Sequence, residues 1–570
     1  MDARSNAKLD GGEAIVEALR QQGVDYVVTS PGSEWSPVWE ALSRQKLDGI
    51  AGPKFVQCWH ETLAVNIAMG LFLKTGRMQA VLLHASVGIL QGAMALYSAT
   101  RAEAALLVLS GESVTLGEDP EQPMELQWYT GVSSGGANRY TETLTKWSAR
   151  VHSAATLYHS VLRAGEMSRR TPRGPVHLDI PLEYMLQRWT PPEEISAAPP
   201  VPMRVPLQSD IARVAGRIAQ ADNPVILVEQ AGSDSAAFDA LRELAEAFAI
   251  PVVGAPGNSF ANFPTKHPLW LGYGSFQHLE AADLVLLVGG RTPFNPPSRR
   301  RTRGRIVALS DHPIKDWLIY QNMQADEYLE GDIAPTLQLL REAVGEQRLS
   351  TTAVAARRSR WEAAHAAFVA EVEREKNADR QSGALSIASM CAILEEFLPA
   401  NAIFVDETLS HAVPLRRHLA IQCGGTFFRA ALGGLGQGLG LSLGLKLAAP
   451  DQPVVLIVGD GSMLYNPIVQ AFGASEQHQI PILVIVLNNR GYSTMKAGHK
   501  LFYPDGAGNA VGYEYGVKID MPHFTELAST FGFFASRATS AAEFEQAVRV
   551  AVESLANKRT ALIDAVLPAR

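Results

Sequence analysis

Two short motifs in the last third of the chain have residue types that can do chemistry. They are Gly459-Asp460-Gly461-Ser462 and, after the 26 residues from Ser462 to Leu487, Asn488-Asn489. Each follows an apolar run, 454–458 before the first and 482–487 before the second. Parallel strands joined by a crossover helix bring their carboxyl ends to one edge of a sheet. There a carboxylate, an amide oxygen and a neighbouring main-chain carbonyl form a hard oxygen site suited to Mg²⁺. Gly461 and Ser462 are expected to open a helix whose free N–H groups face a phosphate. Gly-Asp-Gly alone is often only a turn between strand and helix; the Asn pair at this spacing gives it chemical meaning.

The elements that must position these residues are legible along the chain. Short apolar runs at 105–109, 224–228, 284–288, 306–309, 454–458 and 482–487 alternate with stretches of helical period. Runs that are apolar on both faces are strands of covered parallel sheets, so the fold expected is α/β, built of doubly wound parallel sheets. Small and polar residues follow the runs, where such sheets bind their ligands. The proline-rich stretch 188–208 and the charged, helix-favouring stretch 346–384 read as linkers. They divide the chain into blocks of about 1–190, 205–345 and 385–570, the first and third alike in size and alternation.

Composition sets the class. The chain has 570 residues and a formal net charge of −8, so no basic field suits a polyanion. Three scattered cysteines (Cys58, Cys391, Cys423) make neither a disulfide framework nor a zinc site. No apolar run is long enough to span a bilayer, and the polar start MDARSNAKLDGGEAI lacks the apolar core of a secretory signal. A cytoplasmic enzyme or large binding protein is the expectation.

The GDG…NN pair resembles the signature of the thiamine-diphosphate-dependent enzymes. Trp59-His60-Glu61 through Gly70 resembles the HExxAxxxAxG helix of the same family, and Ala430 through Gly436 its glycine-rich turn. The resemblance implies thiamine diphosphate and Mg²⁺ as cofactors, with Asp460, Asn489 and the Gly491 carbonyl as metal ligands. It implies Glu61 at the aminopyrimidine N1′, where a carboxyl favours the tautomer that takes the proton from thiazolium C2, so that the cofactor supplies the reactive carbon. Leu435 would wedge the two rings together and the Gly433 carbonyl would accept from the 4′-amino group. Gly459, Gly461, Ser462, Tyr492 and Ser410 complete the expected cofactor contacts. The implied domains are pyrimidine-binding, central Rossmann-like and diphosphate-binding, with sites between subunits of a homodimer or homotetramer.

Within the family, Ser30-Pro31-Gly32-Ser33 and Leu83-His84-Ala85-Ser86 look like the benzoylformate decarboxylases. By that resemblance Ser33 contacts the substrate carboxylate and His84 relays protons. The chain departs from that type in two places. Residues 289–296 (GGRTPFNP) hold no histidine where the middle domain should supply one, and Met495 stands where pyruvate decarboxylases carry a glutamate. The expected reaction is therefore decarboxylation of a 2-oxo acid with an apolar or aromatic side chain, giving an aldehyde or, by ligation, a 2-hydroxy ketone. An acetolactate-synthase-like carboligase acting on pyruvate is the close alternative, and an inactive cofactor-binding or regulatory subunit the alternative of another class. Lesser candidates are the arginines at 299, 300, 301, 303 and 305 as a nucleotide-phosphate site, Gln127, Trp128 and Tyr129 as pocket walls, Gln91 facing the cofactor, and His499 in a closing loop.

Overall fold

The computed structural model describes residues 9–113, 115, 118, 125–430, 433–513, 515–520 and 523–568. The first eight residues, most of the loop 114–124 and the pair Ala431 and Leu432 of the glycine-rich turn lie outside them.

Three six-stranded sheets carry the fold. The first contains β1 (Tyr26–Thr29), β2 (Lys54–Gln57), β3 (Gln79–Leu83), β4 (Leu106–Glu112), β5 (Trp147–Arg150) and β6 (Val176–Pro181), in the order β2-β1-β3-β4-β6-β5. The second contains β7 (Pro224–Val228), β8 (Val252–Gly254), β9 (Trp270–Tyr273), β10 (Leu284–Val288), β11 (Arg305–Ser310) and β12 (Glu327–Glu330), in the order β12-β11-β10-β7-β8-β9. The third contains β13 (Ile403–Glu407), β14 (Phe427–Arg429), β15 (Val454–Gly459), β16 (Leu483–Asn488), β17 (Phe534–Ala538) and β18 (Ala561–Val566), in the order β14-β13-β15-β16-β18-β17. Neighbouring strands pair in parallel throughout. The expected α/β class is therefore found. Numbered from its own first strand, the middle sheet has the Rossmann order 3-2-1-4-5-6, while the first and third share 2-1-3-4-6-5.

The apolar runs became central strands because both faces are covered. β3, β4, β7, β10 and β16 are buried at every residue. Each fully buried Val, Leu or Ile there contributes about 1.5–3 kcal/mol.

The chain packs as two compact units. One comprises Met1–Val201 with Leu432–Pro450 and Leu464–Ile480; the other comprises the rest. In the first unit the helix Glu61–Thr75 lies directly on the helix Gly438–Ala448. The crossing is close enough for backbone to meet backbone. A Cβ on Gly444 would fall 2.0 Å from the Ile67 carbonyl oxygen, and one on Gly70 would fall 2.3 Å from that of Leu441. In the second unit the stretch expected to be a linker is instead mostly one helix of 32 residues, Thr351–Ser382, capped by Ser350 and stopped by Gly383 at φ 72°. Its side chains anchor it: Arg417 bonds Glu371 and Glu375, and the buried Lys376 bonds Glu395. The proline-rich stretch 190–207 has no regular structure, as its composition implies. Among the described residues no helix is long and apolar enough to cross a membrane.

Candidate active site

In the second unit β15 ends at Gly459 and Asp460 lies just past the sheet edge, 3% exposed. Its carboxylate ties the two motif loops together: Oδ1 accepts from Gly461 N (2.8 Å) and Oδ2 from Gly491 N (3.1 Å). Gly491 N also donates to Asn489 Oδ1 at 3.3 Å, after a turn in which Arg490 has φ 57°. The Asn pair divides its work. Asn488 faces away and donates to the buried Asp564 at 2.9 Å, whereas Asn489 stands on the Asp460 side, its amide nitrogen donating to Ser493 Oγ at 2.8 Å. Burial pushes the Asp460 carboxyl above its ordinary range, the backbone N–H groups offsetting part of this. A hard divalent cation would relieve that cost, and the donor set of carboxylate, amide oxygen and Gly491 carbonyl fits Mg²⁺. A Cβ on Gly461 would meet the Tyr492 ring at 2.4 Å, so the backbone here lies open to that ring.

The helix expected after Gly461 is a single turn, Asp460–Met463, and the crossover helix proper starts at Ile468 behind Pro467. Proline, lacking an N–H and fixed in φ, restarts the helix rather than continuing it. Ser410 follows β13, which pairs β15 with Glu407 opposite Val458, so it reaches the same edge. Its hydroxyl lies 3.2 Å from His411 Nδ1.

In the first unit Glu61 opens its helix behind the N-cap His60, whose Nδ1 accepts from Thr62 N at 3.2 Å. The next helix, Ala85–Arg101, starts immediately after His84. A Cβ on Gly88 would stand 3.4 Å from Glu61 Cγ and 3.3 Å from His84 Cβ, so the two flank one spot. Farther along the same helix Gly433 lies against Tyr97, and Leu435 is half-buried. Ser33 is exposed and begins a short 3₁₀ turn, Ser33–Trp35.

Sequence reasoning missed the residue after Ser33. Glu34 is fully buried; its Oε2 lies 2.8 Å from His84 Nδ1 and its Oε1 accepts from Ala85 N at 2.9 Å. Hydrogen bonding to Glu34 holds the His84 imidazole above its ordinary range, against desolvation. Ala85, at φ 39°, is held in a conformation that non-glycine residues rarely adopt. Gly32 and Gly111 make the slot: a Cβ on either would come within 2.3 Å of a Glu34 side-chain atom. Trp128 lies edge-on to His84, 5.5 Å between ring centroids.

Other candidates fall away. The side chain of Gln91 meets His60. The arginines sit before β11 or, at Arg305, on its first residue, at the amino end of the strands and away from the ligand edge. Arg300 bonds Asp326, Arg301 covers the Phe276 ring and Arg305 bonds Glu327. Burial pushes the Cys58 and Cys391 thiols up to about 12, which leaves both inert. His499 packs edge-on against Tyr503 and Tyr513 within its own segment.

Models of the thiamine pyrophosphate enzyme N-terminal TPP-binding domain, central domain and C-terminal TPP-binding domain match residues 9–128, 211–340 and 410–565. The chain is 27% identical to the benzoylformate decarboxylase of Pseudomonas aeruginosa, over 97% of each chain. It is 25% identical to the acetolactate synthase large subunit of Parasynechococcus marenigrum, over 93% of this chain and 84% of the other. In fold it is similar to the thiamine diphosphate-dependent 4-hydroxybenzoylformate decarboxylase of Rhodococcus jostii, with a TM-score of 0.78 at 23% identity over 98% of this chain and 99% of that one.

Proposed function

The chain belongs to the thiamine pyrophosphate enzyme family, and we propose that within it this protein decarboxylates a 2-oxo acid with an apolar or aromatic side chain. When bound, the cofactor supplies a carbon nucleophile that accepts the electrons released as CO₂ leaves. Asp460, Asn489 and the Gly491 carbonyl would hold Mg²⁺ and with it the cofactor's diphosphate, and Gly459, Gly461, Ser462, Tyr492 and Ser410 would make the remaining contacts. Glu61 would bond the aminopyrimidine, the Gly433 carbonyl would accept from its amino group and Leu435 would support the rings. Ser33 binds the substrate carboxylate. His84 delivers the proton that replaces CO₂, its Nδ1 engaged by Glu34 so that Nε2 is the transferring nitrogen. The proposed domain limits are 1–190, 205–345 and 385–570, and the matched segments fall inside them. A homodimer or homotetramer in the cytoplasm is the proposed working form.

The observation that carries this reading is the Glu34–His84 pair, because the hydrogen bond to a buried carboxylate raises the proton affinity of the imidazole, and a ready proton donor favours aldehyde release. The test is turnover of a panel of 2-oxo acids with thiamine diphosphate and Mg²⁺, with Glu61→Gln as control. Aldehyde formation by the native chain and none by the variant is expected; equal turnover by both would remove the proposed role of Glu61. A second reading, carboligation, rests on the missing histidine at 289–296 and on Met495. With an added acceptor aldehyde, a 2-hydroxy ketone as main product would favour it.

A further inference from the structure

Behind the Glu34–His84 pair lies a second set of buried ionisable groups that the proposed reaction does not use. Glu112 ends β4 and Asp179 lies in β6, the adjacent strand, both fully buried. One cation serves both: Arg150, at the end of β5, reaches Glu112 Oε2 at 3.4 Å and Asp179 Oδ2 at 3.8 Å. Among the described residues those two oxygens have no hydrogen-bond donor. The opposite oxygens are satisfied. Asp179 Oδ1 accepts from Ser110 Oγ at 3.1 Å. Glu112 Oε1 accepts from Ser134 N and Gly135 N at 2.7 Å each, and from Ser86 Oγ at 3.5 Å. Ser86 Oγ in turn lies 2.7 Å from Ser134 Oγ. Glu112 therefore fastens the end of the 128–135 segment, which carries Trp128, to the first turn of the helix that begins after His84.

Two buried carboxylates facing one arginine leave a net negative charge and two oxygens with no hydrogen-bond donor, an arrangement that buried groups avoid. We propose that Asp179 carries a proton and donates it to Glu112 Oε2, and that this acid pair positions the Trp128 wall of the His84 pocket, loosening it when the proton is lost.

The surroundings agree with that reading. Burial and the neighbouring Glu112 charge push the Asp179 carboxyl up to about 7. His177, also in β6, contacts Ser110 Oγ and Thr141 Oγ1 and is pushed by burial down to about 3, so it stays neutral over the working range. Glu34, packed on Gly111, is engaged by His84 and Ala85. Glu183, on the short helix Leu182–Met185, accepts instead from Ser113 and Thr115. Arg150 is thus the permanent cation of the pair.

The consequence for stability has a definite sign. An acid whose folded pKa is raised binds more protons folded than unfolded, so stability falls as pH rises from the unfolded carboxyl range to the folded value and then levels off. Asp179→Asn mimics the protonated acid, since its amide nitrogen can donate to Glu112 while its oxygen still accepts from Ser110. Glu112→Gln mimics it from the other side. In chemical unfolding of the cofactor-free chain, the unfolding constant of the native protein relative to Asp179→Asn should rise with pH, approaching tenfold per pH unit, and flatten above about pH 7. Taking the ratio cancels the His84 contribution, which both proteins share. Parallel pH profiles would overturn the shared proton.

The second arm reads the wall. Quencher access to Trp128, isolated by difference against Trp128→Phe, should rise in the native chain as pH passes through about 7, where the folded protein loses the proton, and stay flat in Asp179→Asn and Glu112→Gln. A rise in all three would overturn the positioning role. Should either amide variant fail to fold, the other carries both measurements. Neither arm involves the cofactor, so failure here is distinguishable from failure of the proposed reaction.

Discussion

The first and third sheets have one strand order and opposite chemistry at their carboxyl edges. At the third, the buried Asp460 carboxylate is surrounded by backbone N–H groups and amides brought by adjacent strands. At the first, Glu34, His84, Glu112, Asp179 and Arg150 are brought together by side chains from separate segments. The common topology supplies an edge and nothing more. The third sheet lines it with backbone N–H groups and amides, and the first with ionisable side chains paired to one another. A site made of backbone turns has its geometry written locally; a site made of side-chain pairs depends on which strand lies beside which.

The largest effects should come from breaking the proposed cofactor contacts on either side. Glu61→Gln is expected to lower kcat by about 10²–10⁴-fold with folding intact, as measured by steady-state turnover and circular dichroism. Asp460→Ala should abolish the Mg²⁺-dependent binding of thiamine diphosphate in calorimetry; binding that survives it would place the metal elsewhere. An intermediate effect sharpens the contrast at the first sheet. Glu34→Gln removes the carboxylate that raises the proton affinity of His84, so the alkaline limb of kcat should move to lower pH while KM changes little. His84 protonation also stabilises the fold below the imidazole's unfolded pKa and ceases to do so as pH rises through its elevated folded value. That part of the pH dependence of unfolding should vanish in Glu34→Gln. The smallest effect on chemistry belongs to the helix seam. Gly444→Ala must displace backbone and should cost about 1–3 kcal/mol of stability in urea unfolding, with turnover per folded molecule unchanged.

The same contrast explains what was legible in the sequence. Asp460, Asn489 and the strands before them were readable because each apolar run ends at its motif, and β7 and β10 match their runs residue for residue. The likeness of the outer two sheets followed from block size and alternation, whereas the Rossmann-like character of the middle one was implied only by the family resemblance. Glu34 was not readable, although it adjoins Ser33, because its partner lies 50 residues away and nothing local distinguishes a buried glutamate from an exposed one. The glycines at 32 and 111 that flank it were the available signal. Glu112 and Asp179 were hidden for the same reason, 67 residues apart in sequence and joined only by strand neighbours. The stretch 346–384 reads as a linker in sequence from its polar start and its charged, helix-favouring run, because nothing local shows where those charges find partners. Many of them instead bond the helices Ile387–Phe397 and Ala412–His418, which makes the segment a strut.

The glycine seam between Glu61–Thr75 and Gly438–Ala448 also limits how the protein can be taken apart. A fragment cut after the first 190 residues would carry a bare groove shaped for another helix's main chain, and would be expected to aggregate or stay open. Grafting the front portion onto a relative's back portion meets the same obstacle, because the donor must bring its own 438–448 counterpart. The unit of exchange for engineering this chain is discontinuous: residues 1–201 together with 432–450 and 464–480.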